Sequence, residues 1–331
     1  MKAIVIENFG EPTVFQTADI PVPPVTPGHI LIRVAATSVN PVDIKIREGA
    51  VADIAPDFPA ILHGDVAGVV EAVGDGVEDF KVGDEVYGCA GGVKGTGGAL
   101  AEYMLADANL VAHKPKSLTM VETAALPLVS ITAWEGLIDR AQVQPNHKVL
   151  VYGATGGVGH MGVQLAKWAG ATVYALVSND EKAAIARQLG ADITINYRQT
   201  PVEEFVAEYT DGQGFDVVFD TVGNDNLQNA FKAAKINGIV VSLVSLSQQD
   251  LTLLHTKGLT LHLVFMLLPM LFGVNRSRHQ EILSRIANLV DQGQVRPLIA
   301  PQSFSFVDAA AAHAYAGSGS AVGKVTLSFS P

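Results

Sequence analysis

One cysteine, Cys89, stands in a chain of 331 residues. That excludes an internal disulfide framework and any multi-cysteine zinc site, and it suits a reducing compartment. Basic residues are also scarce: 22 Lys and Arg against 33 Asp and Glu leave a net charge of −11. Nucleic acid and anionic membrane both demand a basic face, so neither is expected as a partner. Long apolar runs are missing too. The most apolar stretch, "LHLVFMLLPMLFGV" (261–274), is 14 residues long and interrupted by Pro269, too short to span a bilayer. The start, "MKAIVIENFG", lacks the apolar core of a signal peptide. These absences point to a soluble, cytoplasmic protein.

What is present is ordinary globular material, 48% hydrophobic and 17% charged, in a length that accommodates two domains. Residues 1–125 alternate short β-like runs with Gly and Pro punctuation: "KAIVIENFG", "HILIRVAATSVN", "GVVEAVG", "DEVYGC" and "LAEYMLAD". That spacing predicts a β-rich, barrel-like domain. From about 130 the rhythm changes to strands separated by helices. "KVLVYGA", "TVYALVS", "DITINY", "FDVVFDTVG" and "GIVVSLVS" read as strands. Helices are predicted at 158–169, from Asp180 as N-cap, at 201–210 behind Pro201, and at 225–235. This is the sequence form of βαβ units and a parallel sheet, so the fold class is α/β. A helix near 278–292, another at "VDAAAAHAYAG" and a strand "KVTLSF" close the chain.

The turn "GATGGVG" (153–159) lies between a predicted strand and a predicted helix. In that context it fits the dinucleotide fingerprint, with Ala154, Gly156 and Gly159 at its three fixed positions. Gly156 would let a pyrophosphate approach the backbone, and Gly159 would let the helix pack on the strand. Gly157, Val158 and Gly159 open the helix, whose N-terminus offers free N–H groups and partial positive charge. A tight turn with no ligand is the alternative.

The second strand's end selects the cofactor. NAD sites carry an acidic residue there. This chain has Ser178 at the tip and Lys182 at the start of the next helix. A hydroxyl and an ammonium suit a 2′-phosphate, which a carboxylate would repel. NADPH is therefore expected. Asp180 lies between the two; the alternative is that it is itself the acidic residue of an NAD site, but as an N-cap it is expected to point back at the helix.

Several stretches taken together resemble the medium-chain dehydrogenase/reductase superfamily, in its zinc-independent quinone oxidoreductase branch. They are "SVNPVDIKIREG" (38–49), "GDVAGVVEAVGDGVEDFKVGDEVYG" (64–88), "ALAEYM" (99–104), "AALPLVSITAWEGL" (124–137), "VLVYGATGGVGHMGVQLAKWAGA" (149–171) and "GKVTL" (323–327). The resemblance implies a GroES-like β-barrel domain, 1–125 completed by 270–331, beside a Rossmann doubly wound parallel sheet over 126–269. The zinc branch places cysteine where this chain has "NPVD", and Gly-His-Glu where it has His63-Gly64-Asp65. With His63 and Cys89 as a lone pair of candidates, no metal site is expected.

Without metal, a nicotinamide carries the reaction and the protein positions and polarises. Asn40, Asp43 and Lys45 share one loop-like stretch, which in relatives borders the nicotinamide. An amide or ammonium there could donate to a carbonyl oxygen and stabilise an enolate. The alternative for Asn40 and Asp43 is turn hydrogen bonding beside Pro41, and for Lys45 a solvated surface. The resemblance also places Thr132 beside the nicotinamide, Tyr197 near the adenosine phosphate and Gly223 at a strand's C-terminal end. Phe265 and Met266, in the apolar stretch, are expected at the cofactor and substrate.

The function expected is NADPH-dependent hydride transfer to a quinone or α,β-unsaturated carbonyl. A zinc-type alcohol dehydrogenase and a non-catalytic NADPH-binding protein are the alternatives. The alternation of Leu259, Leu261 and Leu263 against Thr260 and His262 predicts an edge strand, whose pairing across a two-fold axis would give a homodimer.

Overall fold

The computed structural model describes residues 1–244 and 246–329. It separates into two compact units, Met1–Ile131 with Leu267–Pro331, and Thr132–Met266. The expected division fell at 125/126 and 269/270. The start of the helix Pro127–Trp134 belongs with the first unit, where the Leu128 N–H donates to Asp65 Oδ1 at 2.8 Å.

In the second unit six parallel strands lie in the order Ile193–Asn196, Thr172–Val177, Lys148–Tyr152, Phe215–Asp220, Ala234–Ser242, Thr260–Leu263. The chain starts in the middle, builds outward to one edge, then crosses over and builds to the other. Helices must therefore cover both faces, and the strands read as continuous apolar runs. Leu150, Leu176, Val218 and Val240 point to one face, packed against Phe205 and Leu227, Ala230 and Phe231 of the helices Val202–Thr210 and Asn226–Ala233. Phe219, one residue along from Val218, turns to the opposite face, toward the helix Gly157–Trp168. The switch of direction falls between Lys148–Tyr152 and Phe215–Asp220, where open α/β sheets bind ligands.

Two local expectations are corrected. The helix Asp180–Gln188 is capped by Asn179, whose side-chain oxygen accepts from the Lys182 N–H at 2.9 Å. Asp180 is the first helical residue, so it does not turn back as a cap. And the stretch 40–45 is no loop. Pro41 begins the helix Pro41–Arg47, for which its fixed φ is suited, and Asp43 Oδ2 accepts the Asn40 N–H at 2.7 Å.

The first unit is built on the strand His29–Ser38. One edge pairs along its length with Asp65–Val73; the other takes Tyr103–Asp107 on its first half and Thr326–Ser328 on its last. Register shifts at Leu31/Ile32 and Val34/Ala36 mark the irregularity that accompanies this change of partner. Glu85–Cys89 and Val111–His113 extend the sheet beyond Asp65–Val73. The pairing Thr326↔Ser38 brings the end of the chain to the start of the helix Pro41–Arg47. The helix Ser277–Asp291 lies on this sheet, and there Leu283 O accepts the buried Tyr87 hydroxyl at 2.7 Å.

Gly162 tests the packing of the second unit. A Cβ there would stand 2.6 Å from two ring carbons of buried Phe219. Gly162→Ala is expected to destabilise the protein by about 1–3 kcal/mol, as overpacked cores do, measured as a shift of the urea midpoint.

Candidate functional site

The fingerprint turn has the geometry that a dinucleotide needs. Gly153 sits at φ +65°, a left-handed conformation that glycine adopts without penalty. Its carbonyl accepts the Gly156 N–H at 2.8 Å, closing the turn. At Gly159 a Cβ would lie 2.0 Å from Gly153 O, so only glycine lets the helix begin against the strand. Gly156 precedes the helix in extended conformation, and the N–H groups of Gly157, Val158 and Gly159 open it. These groups have no intrahelical acceptor, and no acidic residue occupies the first turn. The residues fit a pyrophosphate. The turn is braced from the neighbouring strand's end by Thr221, whose hydroxyl donates to Tyr152 O at 2.7 Å.

Ser178 and Lys182 are half-buried at the end of Thr172–Val177 and the start of the helix that follows. Tyr197 is 51% exposed just past Ile193–Asn196, at the same end of the sheet. Gly223 sits at φ +71° past the strand Phe215–Asp220, its N–H held by Asp220 Oδ1 at 3.0 Å. Ala154, Gly156, Gly157, Val158, Gly159, Ser178, Lys182, Tyr197 and Gly223 are thus gathered at the C-terminal ends of the parallel strands. Thr132 is buried in the helix Pro127–Trp134, while Phe265 is exposed and Met266 buried where the second unit ends.

The first unit holds a buried polar cluster around Asn40. Asp65 is its centre. Its Oδ2 accepts from Ser38 Oγ at 2.6 Å, from Asn40 Nδ2 at 2.8 Å and from Lys324 Nζ at 3.4 Å. Lys324 also donates to Val39 O at 3.0 Å and to Asn40 Oδ1. Asn40, Asp43, Asp65 and Lys324 are each at most 3% exposed. Asn40 therefore commits both ends of its amide to neighbours, whereas Lys45 is half-buried and the most accessible of the three residues singled out in its segment. Burial first, and then the Asp65 charge, push the Asp43 carboxyl up to about 7. The same two causes hold the Cys89 thiol well above its ordinary range, which leaves it unreactive as a nucleophile.

His63 belongs to this interior as well, at φ +74°. Its Nε2 lies 2.8 Å from His313 Nε2, with the rings stacked. Thr37 Oγ1 donates to Asp65 O at 2.5 Å, so at 3.3 Å it accepts from His63 Nδ1. That leaves His63 Nε2 to accept from His313. Burial drives His63 well below the imidazole range and His313 down to about 3, so both rings are neutral. Among the described residues, no three His, Cys, Asp or Glu side chains are placed to hold a metal.

Comparison with known proteins places this geometry. The alcohol dehydrogenase GroES-like domain family matches residues 26–116, and the zinc-binding dehydrogenase family matches 157–288. The NADPH-dependent alkenal/one oxidoreductase of Arabidopsis thaliana is 34% identical, over 99% of this chain and 79% of that protein. The chain belongs to the medium-chain dehydrogenase/reductase superfamily, in its quinone oxidoreductase-like branch. Among solved structures of this superfamily, an alcohol dehydrogenase superfamily protein from Novosphingobium aromaticivorans superposes with a TM-score of 0.94 at 39% identity, covering 99% of both chains. The Escherichia coli quinone oxidoreductase complexed with NADPH gives 0.87 at 27% identity, covering 99% of this chain and 100% of that one. The two units are accordingly the superfamily's GroES-like domain and its Rossmann-type domain.

Sequence reasoning missed Asp65 and Lys324. Both lay in quoted superfamily segments, but no spacing joins residues 259 positions apart. Only the strand pairing Thr326↔Ser38 does.

The raised Asp43 carboxyl makes a prediction about stability. It binds its proton up to about pH 7 in the folded protein and only to its ordinary 3.8 when unfolded. The native state then holds more protons between these values, so this group's contribution falls as pH rises from 4 to 7 and is flat above. Asp43→Asn is expected to remove that slope, a change of up to about 4 kcal/mol across the window. Urea unfolding of both proteins at pH 5 and pH 8 measures it; parallel dependences would reject the assignment.

Proposed function

We propose that this protein is an NADPH-dependent reductase of quinones and α,β-unsaturated carbonyls that works without a metal. The observation that carries the proposal is the glycine turn with its unopposed helix N-terminus, joined to Ser178 and Lys182 at the tip of the adjacent strand. The turn receives the pyrophosphate on the N–H groups of Gly157, Val158 and Gly159, and Ser178 and Lys182 receive the 2′-phosphate. Asp180, freed from capping, and Glu181 are the two carboxylates in the first turn of that helix. Tyr197 and Gly223 border the adenosine half; Thr132, Phe265 and Met266 border the nicotinamide half. The similarity to reductases named for NADPH supports the same choice.

Bound there, the nicotinamide supplies a hydride to the substrate's electron-poor carbon. Asn40 and Asp43 are held in the interior, so Lys45, the accessible one of the three, is the donor to the substrate's carbonyl oxygen as negative charge develops on it. Metal independence is supported by the donor set. Asn40 and Asp65, in the two stretches where the zinc branch has its ligands, are already bridged by the ammonium of Lys324. A second cation would meet that charge.

Among the described residues no helix is long and apolar enough to cross a membrane, and we assign the protein to the cytoplasm. We assign a homodimer as well. Thr260–Leu263 is an edge of the six-stranded sheet, and Leu263, Phe265 and Phe272 stand exposed in and after it. Pairing the edge with that of a second copy covers both the unpaired backbone and the apolar side chains. Leu261 packs into the core, so Leu263 is the cleaner probe.

NADPH oxidation against a panel of quinones, enones, enals and aldehydes is expected to show turnover with the conjugated substrates, undiminished by exhaustive chelation. Loss of activity with the metal would restore the zinc-type reading, and NADPH binding without turnover would leave a binding protein. NADPH is expected to bind more tightly than NADH. Lys182→Ala should erase roughly ten- to a hundred-fold of that preference, the contribution of one charge-assisted contact. Equal dissociation constants for the two cofactors in the unmodified protein would refute the 2′-phosphate site. Light scattering should report a dimer that Leu263→Lys splits or renders insoluble; a monomer at micromolar concentration would count against the edge.

A further inference from the structure

Asp43 and Asp65 are two buried carboxylates 22 positions apart in sequence, and one ammonium, that of Lys324, is given to them. Lys324 is 3% exposed and lies 3.4 Å from Asp65 Oδ2, its other contacts being Val39 O and the Asn40 amide oxygen. Asp65 is saturated by Ser38, Asn40, Leu128 and that ammonium. Asp43 has the Asn40 N–H on Oδ2 and, among the described residues, no ammonium or guanidinium within bonding distance. Arg47, one turn along the same helix, is also buried, but it pairs with Glu48 at 2.5 Å and its charge acts on His313. Apart from Arg47, the remaining groups around the cluster add no positive charge. Cys89, on the neighbouring strand, is a thiol; His63, and His313 on the helix Ala309–Gly317 that packs against Pro41–Arg47, are neutral. Lys45, on the same helix, is half-buried and makes no ion pair among those of the described residues. Arg47 is matched by Glu48 and Lys324 by Asp65, so Asp43 is the carboxyl left without a cation of its own, and an interior does not carry such an anion uncompensated.

We propose that Lys324, from the far end of the chain, is the positioning residue of this site: its ammonium neutralises Asp65 and fixes the Asn40 amide, and Asp43 stands as a protonated acid, so that the helix carrying Lys45 begins without charge. The upward displacement of the Asp43 carboxyl agrees with this arrangement. The consequence for the reaction is electrostatic. A neutral Asp43 adds no negative charge to the helix that carries Lys45, so the field of that ammonium at the substrate oxygen is not offset from within the helix. This use of Lys324 rests on the reductase reading, but the protonation of Asp43 does not.

Infrared difference spectroscopy of the whole protein, titrated between pH 5 and 9, tests it without substrate or cofactor. The carbonyl band of a buried protonated carboxyl is expected at low pH and to fade through neutrality; Asp43→Asn should lack it at every pH. Lys324→Gln should hold the band to higher pH by at least one unit, and Lys324→Arg, which keeps the charge, should restore the original midpoint. A band that survives Asp43→Asn, or a midpoint unmoved in Lys324→Gln, overturns the proposal. If Lys324→Gln does not fold, the Lys324→Arg and Asp43→Asn spectra still decide: loss of the band in the arginine variant would contradict the charge balance. Failure of the reductase reading would show instead as an absence of NADPH oxidation with the infrared result intact.

Discussion

The carboxylate of Asp65 takes hydrogen bonds from four parts of the chain. Ser38 ends the longest strand of its sheet, Asn40 precedes the helix Pro41–Arg47, Leu128 opens the helix Pro127–Trp134 and Lys324 comes from the last ten residues. A carboxylate with no exposure is expensive to bury alone. Here it is paid for by an ammonium and three further donors, each of which must be delivered by correct folding of its own segment. The orientation of the Asn40 amide and the protonation of Asp43 both depend on this junction. So does the seating of the chain's C-terminal segment, because Lys324 lies between the backbone contacts of Leu298 and Val39.

The second unit depends on a different constraint, the closeness of backbone to backbone. Gly159 has the carbonyl of Gly153 where its Cβ would be, and Gly162 has the ring of Phe219. The helix is drawn down onto the sheet because these positions have no side chain. Its first N–H groups are thereby aimed past the strand ends instead of into a cap.

That turn was legible in the sequence because everything it needs is local: a strand, an alanine and two glycines at fixed spacing, a helix. The alternation of strands and helices, and with it the parallel sheet, was legible for the same reason. Asp65 and Lys324 were not, since their meeting is made by an antiparallel pairing between residues near 38 and near 326. The same limit explains the reading of 40–45 as a loop. Pro41 signals a turn as readily as a helix start, and the difference lies in Asp43 reaching back to the Asn40 N–H. At 178–182, Asp180 and its neighbour Asn179 are both competent caps. The choice fell to the residue whose backbone is extended before the helix, and no composition rule separates them.

A double-mutant cycle on Asp65 and Lys324 measures the junction most directly. Unfolding free energies would be compared for the unmodified protein, Asp65→Asn, Lys324→Met and the pair. Removing one partner of a buried ion pair costs about 3–5 kcal/mol, because the other is left uncompensated. The double variant should therefore cost clearly less than the sum of the two single ones. Additivity to within about 0.5 kcal/mol would show that the two residues are independent, and would contradict the account.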